Sequence, residues 1–299
     1  MKNIYEQESA NKRKSFLIMS LFVLFVVGVV YVFSLVSNSG LSMVGVALLF
    51  SGLLSLGSYY YSDKIILSLS NARKADKDRD FDYFTVAENL AMVANIPVPD
   101  LYVIEDSAMN AFATGRDPEH AVVVATTGLL SRLNRTKLEG VVAHELSHVK
   151  NYDTRLMSIV TILVGLIALL ADWFLRLSMF GGRRSNDDRG QVGAIMLVLG
   201  LLLALLSPLI ANLIKLAISR RREFLADAGA AKMTRYPEGL ASALEKIAVD
   251  REPLEVANKA TAHLYISNPL KNRKGAVGWL SKMFNTHPPV EERIQALRS

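Results

Sequence analysis

The chain has 299 residues, of which 51% are hydrophobic and only 21% are charged, and its formal net charge at pH 7 is +6. So apolar a chain is not expected to be wholly soluble, and part of it must lie in lipid. It contains no cysteine, which excludes disulfides, thiolate metal ligands and a cysteine nucleophile. A transition metal would therefore need histidine and carboxylate ligands.

Two apolar runs near the N-terminus predict a membrane hairpin. Residues 15–36 form an uncharged run of about 22 residues, and about 20 helical residues cross a ~30 Å hydrocarbon core. The run is too long for the apolar part of a typical signal peptide, so we expect a retained anchor. A second run at 41–61 ends in three tyrosines, which suit the level of the lipid headgroups.

Basic residues flank this hairpin on both sides. Lys12, Arg13 and Lys14 precede the first run, and Lys64 and Arg73 follow the second. The positive-inside rule then predicts that both flanks are cytoplasmic. Because the basic residues lie mostly beside apolar runs, anionic lipid explains the net charge better than nucleic acid does. No nucleic-acid partner is expected.

The stretch 63–155 is predicted to form a soluble α+β unit. Thr85 and Glu88 have the spacing of a capping box, which predicts the start of a helix. Short runs typical of strands follow at 101–105, 111–114 and 121–126. After Gly128 the pattern becomes helical again.

Two further apolar runs, at 156–175 and 192–218, predict a second hairpin. If the region between the two hairpins is cytoplasmic, the loop between these runs lies outside the cell. That loop carries four arginines, which conflicts with the positive-inside rule. This hairpin either enters the bilayer or is buried in protein, and length alone does not decide between these alternatives. The runs divide the chain into four parts at 1–62, 63–155, 156–218 and 219–299.

The predicted helix at 135–150 carries two histidines one turn apart. His144 and His148 share one face, because residues four apart on a helix point the same way. Two such imidazoles can bind one Zn²⁺, which lowers the pKa of a bound water toward ~7. Glu145 can accept a proton from that water and pass it to the leaving amine. The alternative is an ordinary surface helix.

A catalytic zinc ion needs a third protein ligand and an open position for water. Glu223 is the better candidate, because it lies just after the fourth apolar run. Asp227 follows at i+4 and can accept an N–H from a zinc-binding histidine. The alternative for this acidic pair is a solvated face beside the arginines at 220–222. The other candidates for the third ligand are His120, His263 and His287.

Four segments carry a family resemblance, and these are MNAFATG at 109–115, HELSH at 144–148, SRRREFLADAGAA at 219–231 and THPPVEERI at 286–294. Interleaved with two pairs of apolar runs, they resemble the HtpX family of heat-shock-linked membrane metalloproteases, and the related prenyl-protein endopeptidases share the zinc pattern. The resemblance implies that His144, His148 and Glu223 bind one Zn²⁺ and that Glu145 is the catalytic residue. It also implies proteolytic quality control of misfolded or membrane proteins.

The expected fold is mainly α and integral to the membrane, with four apolar helices and a zincin-like α+β metalloprotease domain. We expect a multi-pass protein of the cell membrane whose catalytic domain, split between 63–155 and 219–299, is cytoplasmic. Protein substrates and the lipid bilayer are the expected partners, and the oligomeric state is left open.

Two accessory features and two rival functions accompany this interpretation. The strand around 110–114 can offer an edge to an extended substrate or can simply pack in the core. His287 can donate to the tetrahedral oxyanion or can simply precede a helix. A membrane scaffold with structural zinc is the first rival, although Glu145 favours catalysis. A small transporter, with Asp172 and Lys215 as intramembrane charges, is the second.

Overall fold

The structure is a computed structural model, and it describes residues 4–37, 42–163, 165–167, 198, 220–257, 261–262, 264–267, 269 and 288–299. Most of these residues are helical, which confirms the mainly α prediction. Most of the predicted second hairpin lies outside the described residues, including Asp172 and Lys215.

The two N-terminal apolar runs form helices that pack against each other. Helix α1 spans Ile4–Ser37 and helix α2 spans Ser42–Tyr60. Within the described residues, Arg13–Tyr31 is long and apolar enough to cross a membrane, and only 11% of its most apolar window is buried. Helix α2 bends by 80° into helix α3, Ser62–Leu69, so it qualifies as a second span only together with α3.

A four-stranded sheet follows, with the strand order β1-β2-β4-β3. Strand β2 is parallel to β4, whereas β1 and β3 are antiparallel to their neighbours. The strands span Arg73–Lys74, Asp100–Ile104, Ala111–Thr114 and Val122–Thr126. The three predicted strands are thus confirmed to within one residue, and only the two-residue β1 was not predicted.

Seven further α-helices lie among the described residues. They are α4 (Phe81–Ala94), α5 (Thr127–Arg132), α6 (Arg135–Lys150), α7 (153–163), α8 (Arg220–Thr234), α9 (Pro237–Val249) and α10 (Val290–Arg298). The capping-box prediction is wrong, because α4 begins at Phe81 and the Thr85 hydroxyl donates to the Phe81 carbonyl inside the helix, at 2.9 Å. The first turn of the helix therefore lies before Thr85, and it buries Tyr83 in the core.

Helix α6 lies at the centre of the domain. It packs against α4, α8 and α9, and one face of the sheet covers it as well. Side chains alternate along a strand, so Val123 and Ala125 face α6, while Val122 and Val124 contribute to a second core on the other face. Nearly every residue from Leu138 onwards in α6 is consequently buried, polar side chains included.

Candidate metal centre

The two histidines of α6 point at a common position. The Nε2 atoms of His144 and His148 are 3.2 Å apart, and their ring centroids are separated by 4.8 Å. Helix α8 packs on α6 and brings Glu223 to the same position. Its Oε1 lies 3.5 Å from His148 Nε2, and its Oε2 lies 3.8 Å from His144 Nε2.

These three side chains fit a metal ion by donor chemistry and by geometry. One ligand atom from each of the three lies within 4.8 Å of the others, and all three residues are buried. Two imidazole nitrogens and one carboxylate oxygen are the ligand set of a catalytic zinc site that keeps one position for water. Burial also excludes the alternatives of an ordinary surface helix for α6 and a solvated acidic face for α8.

A glycine allows α8 to approach α6 this closely. A Cβ added at Gly229 would lie 2.5 Å from Ser147 Oγ and 3.1 Å from Ser147 Cβ. Ser147 lies between the two histidines on α6, and Gly229 lies on the helix that carries Glu223. The missing side chain therefore sets the distance between the two halves of the site.

Each histidine has a carboxylate on its other ring nitrogen. Asp227 Oδ1 lies 2.9 Å from His144 Nδ1, and Asp153 Oδ2 lies 3.2 Å from His148 Nδ1. Carboxylates in this position fix the tautomer and the orientation of metal-binding imidazoles. With both Nδ1 atoms occupied, both Nε2 atoms are directed toward Glu223.

Asp153 was not found by sequence reasoning. It follows His148 by five residues, beyond the end of α6, so no helical spacing connects the two side chains. Tyr152 takes a left-handed φ of 57° at the break before α7, where Asp153 begins the next helix. The only available signal was an acidic residue just after the motif.

Arg293 was also missed, although it lies in the C-terminal segment that contributes to the family resemblance. It is the largest fully buried side chain of the described chain. Its Nε and Nη2 lie 2.8 and 2.6 Å from the two carboxylate oxygens of Asp227, and its Nη1 lies 3.8 Å from Glu223 Oε2. In the sequence, Arg293 directly follows two glutamates and lies near the C-terminus, a setting typical of a solvent-exposed arginine.

The two histidines differ in proton affinity when no metal is bound. Burial, together with the charge of Arg293, lowers the pKa of His144 to about 4. Burial also acts to lower the pKa of His148, but Asp153, Glu223 and Glu145 outweigh it and raise that pKa to about 9. A metal that binds at neutral pH must therefore displace a proton from His148.

Glu145 is buried beside this group of ligands. Its negative charge acts to raise the pKa values of both His148 and Arg293. Its neighbour in sequence, His144, supplies one of the converging nitrogens. A carboxylate next to a metal-bound water is the arrangement that deprotonation of that water requires.

Of the other candidate ligands, the structure describes only His120. His120 is exposed and pairs with Asp117, outside the site. His263 and His287 lie outside the described residues, so the proposed oxyanion role of His287 stays a prediction.

The edge of β3, predicted as a surface for extended substrates, is partly occupied by the chain itself. Ile266 N–H donates to the Ala111 carbonyl at 2.9 Å. The Asn110 side chain donates to the Ser267 carbonyl at 3.0 Å and accepts from its N–H at 3.3 Å. At Ala111, pairing with a substrate strand would have to displace residues 264–267.

Comparison with known proteins identifies the family of this chain. The sequence model of peptidase family M48 matches residues 77–299. The Protease HtpX homolog of Dictyoglomus turgidum is 45% identical over 98% of this chain and 94% of its own length. Those of Caldanaerobacter subterraneus and Streptococcus uberis are 43% and 40% identical, over 100% and 99% of this chain and 98% and 99% of their own lengths.

A solved structure supports the fold. The crystal structure of S. mikatae Ste24p matches 95% of this chain with a TM-score of 0.52 at 20% identity, and this chain spans 65% of the length of that one. The resemblance to the HtpX family is confirmed by the relatives. The chain therefore belongs to peptidase family M48, and it is a metalloprotease.

Proposed function

We propose that this protein is a membrane-bound zinc endopeptidase that hydrolyses peptide bonds of misfolded or membrane proteins. The observation that carries the proposal is the convergence of His144, His148 and Glu223 on one buried position. The same donor set also suits Fe²⁺. Zn²⁺ is the better match to peptide hydrolysis, because that reaction needs a Lewis acid and no change of oxidation state.

The residues around the site divide the chemistry between them. His144, His148 and Glu223 would hold the Zn²⁺, which when bound polarises the scissile carbonyl and lowers the pKa of water toward ~7. Glu145 accepts the proton of the attacking water and delivers it to the leaving amine. Asp227 and Asp153 hold the two imidazoles with their Nε2 atoms toward the metal.

Cleavage of casein by the detergent-purified full chain tests this function. Glu145→Gln keeps the shape of the side chain but removes the base, so turnover should fall by about 10³-fold or more. Glu139→Gln is the matched control, because this glutamate lies on the same helix and pairs with Arg135, its only ion-pair partner among the described residues. Near-normal hydrolysis by Glu145→Gln would contradict the role of Glu145 as the base, whereas absence of cleavage by wild type would favour the membrane scaffold.

For the cellular location, we propose a multi-pass protein of the cell membrane with hairpins at 1–62 and 156–218. The catalytic domain, from 63–155 and 219–299, would then be cytoplasmic. The exposed apolar surface of α1 supports the first hairpin. At the end of α2, the Tyr60 ring contacts the guanidinium of Arg116, a pair that suits the membrane interface.

Labelling in intact cells tests this topology. Lys77 is exposed, and the chain has no cysteine of its own, so Lys77→Cys gives a single thiol on the catalytic domain. A membrane-impermeant reagent should leave it unlabelled until the cells are opened. Ready labelling in intact cells would contradict a cytoplasmic catalytic domain.

A further inference from the structure

Asp153 uses its two carboxylate oxygens for different partners. Its Oδ2 faces Nδ1 of the candidate metal ligand His148 at 3.2 Å. Its Oδ1 accepts hydrogen bonds from Asn11 Nδ2 at 3.1 Å and from Arg222 Nη1 at 3.2 Å. One oxygen thus orients the imidazole, while the other holds the carboxylate in place.

Asn11 comes from the first helix of the chain, 142 residues before Asp153. It lies just before the apolar stretch Arg13–Tyr31 and is 4% exposed. Both the nitrogen and the oxygen of its side-chain amide make further hydrogen bonds. Nδ2 also donates to the Asn151 carbonyl at 3.1 Å, and Oδ1 accepts from Arg222 at 3.4 Å.

The asparagine therefore joins three elements at one point. Helix α1 supplies Asn11 itself, the turn after α6 supplies Asn151, and α8 supplies Arg222, the residue next to Glu223. Further along, α1 continues against α7, where Phe22 is buried on Ile159 and Leu163. The contact between α1 and α7 is thus polar at Asn11 and apolar at Phe22.

Packing alone does not explain an amide in this position. Burying an amide is favourable only when its donors and acceptor are all paired, so an apolar side chain would be the simpler anchor for a helix. What the amide adds is a second donor on Asp153 Oδ1. Two donors on one oxygen restrict rotation of the carboxylate more than Arg222 alone does, and that rotation sets the direction of His148 Nδ1.

We propose that Asn11 is a positioning residue for the metal centre, and that through Asp153 and His148 it couples the first membrane helix to metal affinity. The proposal rests on the proposed function, since it concerns the same metal site. Its consequence is that a change in how α1 sits against the catalytic domain alters metal binding without altering any ligand.

Zinc affinity of the detergent-solubilised full chain, measured by competition with a chromophoric chelator, tests this proposal. Asn11→Ala and the near-isosteric Asn11→Asp are compared with wild type. Loss of a partner that orients a ligand typically weakens metal affinity by about 10–100-fold, and we expect about 10-fold for Asn11→Ala. The zinc affinity of Asn11→Asp should be reduced at least as much, because this change places a second carboxylate beside that of Asp153.

Ser15→Ala is the matched control. This serine lies one turn along α1, is buried, and has a hydroxyl without a hydrogen-bond partner among the described residues. Its zinc affinity should equal that of wild type. The absorption spectrum of the Co²⁺-loaded protein gives a second measurement, and its d–d bands should shift in both Asn11 variants but not in the control.

The possible outcomes separate this proposal from the proposed function. If Asn11→Asp binds zinc as wild type does and leaves the Co²⁺ spectrum unchanged, Asn11 only packs and the proposal is overturned. The same holds if Ser15→Ala is weakened as much as Asn11→Ala. If wild type itself binds no zinc, the proposed metal site fails first, whatever the variants show.

Discussion

Arg293 and Asp227 form a bidentate ion pair inside the protein, with Nη2 2.6 Å from Oδ1 and Nε 2.8 Å from Oδ2. The side chains are 0% and 3% exposed. The Oδ1 atom also lies 2.9 Å from His144 Nδ1, so the ion pair and a candidate metal ligand share one oxygen. The C-terminal helix α10 is thereby tied directly to the metal centre.

Arg293→Met should destabilise the protein strongly. It leaves the buried Asp227 carboxylate without its cation, and breaking a buried pair in this way costs about 3–5 kcal/mol. Arg293→Lys should lie between wild type and Arg293→Met, since an ammonium cannot make both hydrogen bonds at once. The midpoint of thermal unfolding of the metal-free protein measures the effect.

Arg298→Met provides the control for this prediction on the same helix. Arg298 makes close pairs with Glu238 and Glu245, but at the surface, where water replaces a lost partner. Its unfolding midpoint should stay near that of wild type. If Arg293→Met and Arg298→Met lowered the unfolding midpoint equally, burial of the ion pair of Arg293 would not be the cause of its effect on stability.

Gly229→Ala should lower both stability and zinc affinity. Inside a helix, this change would ordinarily stabilise by about 1 kcal/mol. Here the new Cβ meets Ser147 Oγ at 2.5 Å, and overpacking of this kind costs about 1–3 kcal/mol. Separation of α8 from α6 would also draw Glu223 away from the two histidines.

Ser147→Ala should rescue Gly229→Ala. Within the described part of the chain, Ser147 Oγ donates only to the Ala143 carbonyl of its own helix, at 2.8 Å, so its loss alone should be nearly neutral. In the double variant the 2.5 Å contact is gone, and both zinc affinity and unfolding midpoint should recover by at least about half. Strictly additive losses would contradict the contact as the cause.

Much of the fold could be predicted from local patterns, because apolar residues recur at helical spacing and turn residues mark the ends of the strands. Helix α6 was predicted with the observed bounds from its spaced apolar residues, and strand β3 from its short apolar run between turn residues. Glu223 was preferred as the third ligand because it follows the fourth apolar run and because the family resemblance implies it. The structure places it beside the two histidines.

The residues around the ligands could not be predicted in the same way. Asn11, Asp153 and Arg293 reach the site only through the packing of α1, α7 and α10 on the domain. No spacing in the sequence connects them to His144 or His148. Burial of a charged side chain is set by tertiary contacts, and its local sequence looks like that of a solvated residue.

Tyr83 should give the protein a stability that declines in alkaline solution. It is buried, and its hydroxyl has no hydrogen-bond partner among the described residues. Burial, aided by the charges of Glu145 and Asp80, raises its pKa well above 10. The unfolded chain ionises this phenol near pH 10 and the folded chain does not, so its contribution is present below that pH and is lost progressively above it.

Tyr83→Phe tests this statement. It removes an unpaired buried hydroxyl, so at pH 7 the variant should be at least as stable as wild type. Above about pH 10 its unfolding midpoint should fall less steeply with pH than that of wild type. Parallel decline of the two proteins above pH 10 would mean that Tyr83 ionises as readily when folded as when unfolded.

Zinc stoichiometry of three purified proteins tests the central claim most directly. If His144, His148 and Glu223 bind the metal and Glu145 acts only on water, wild type and Glu145→Gln should each contain about one zinc per chain. Glu223→Gln retains the size of the side chain but loses the anionic ligand, and it should be purified with little zinc. A full zinc content in Glu223→Gln would contradict the account, because the third ligand would then lie elsewhere.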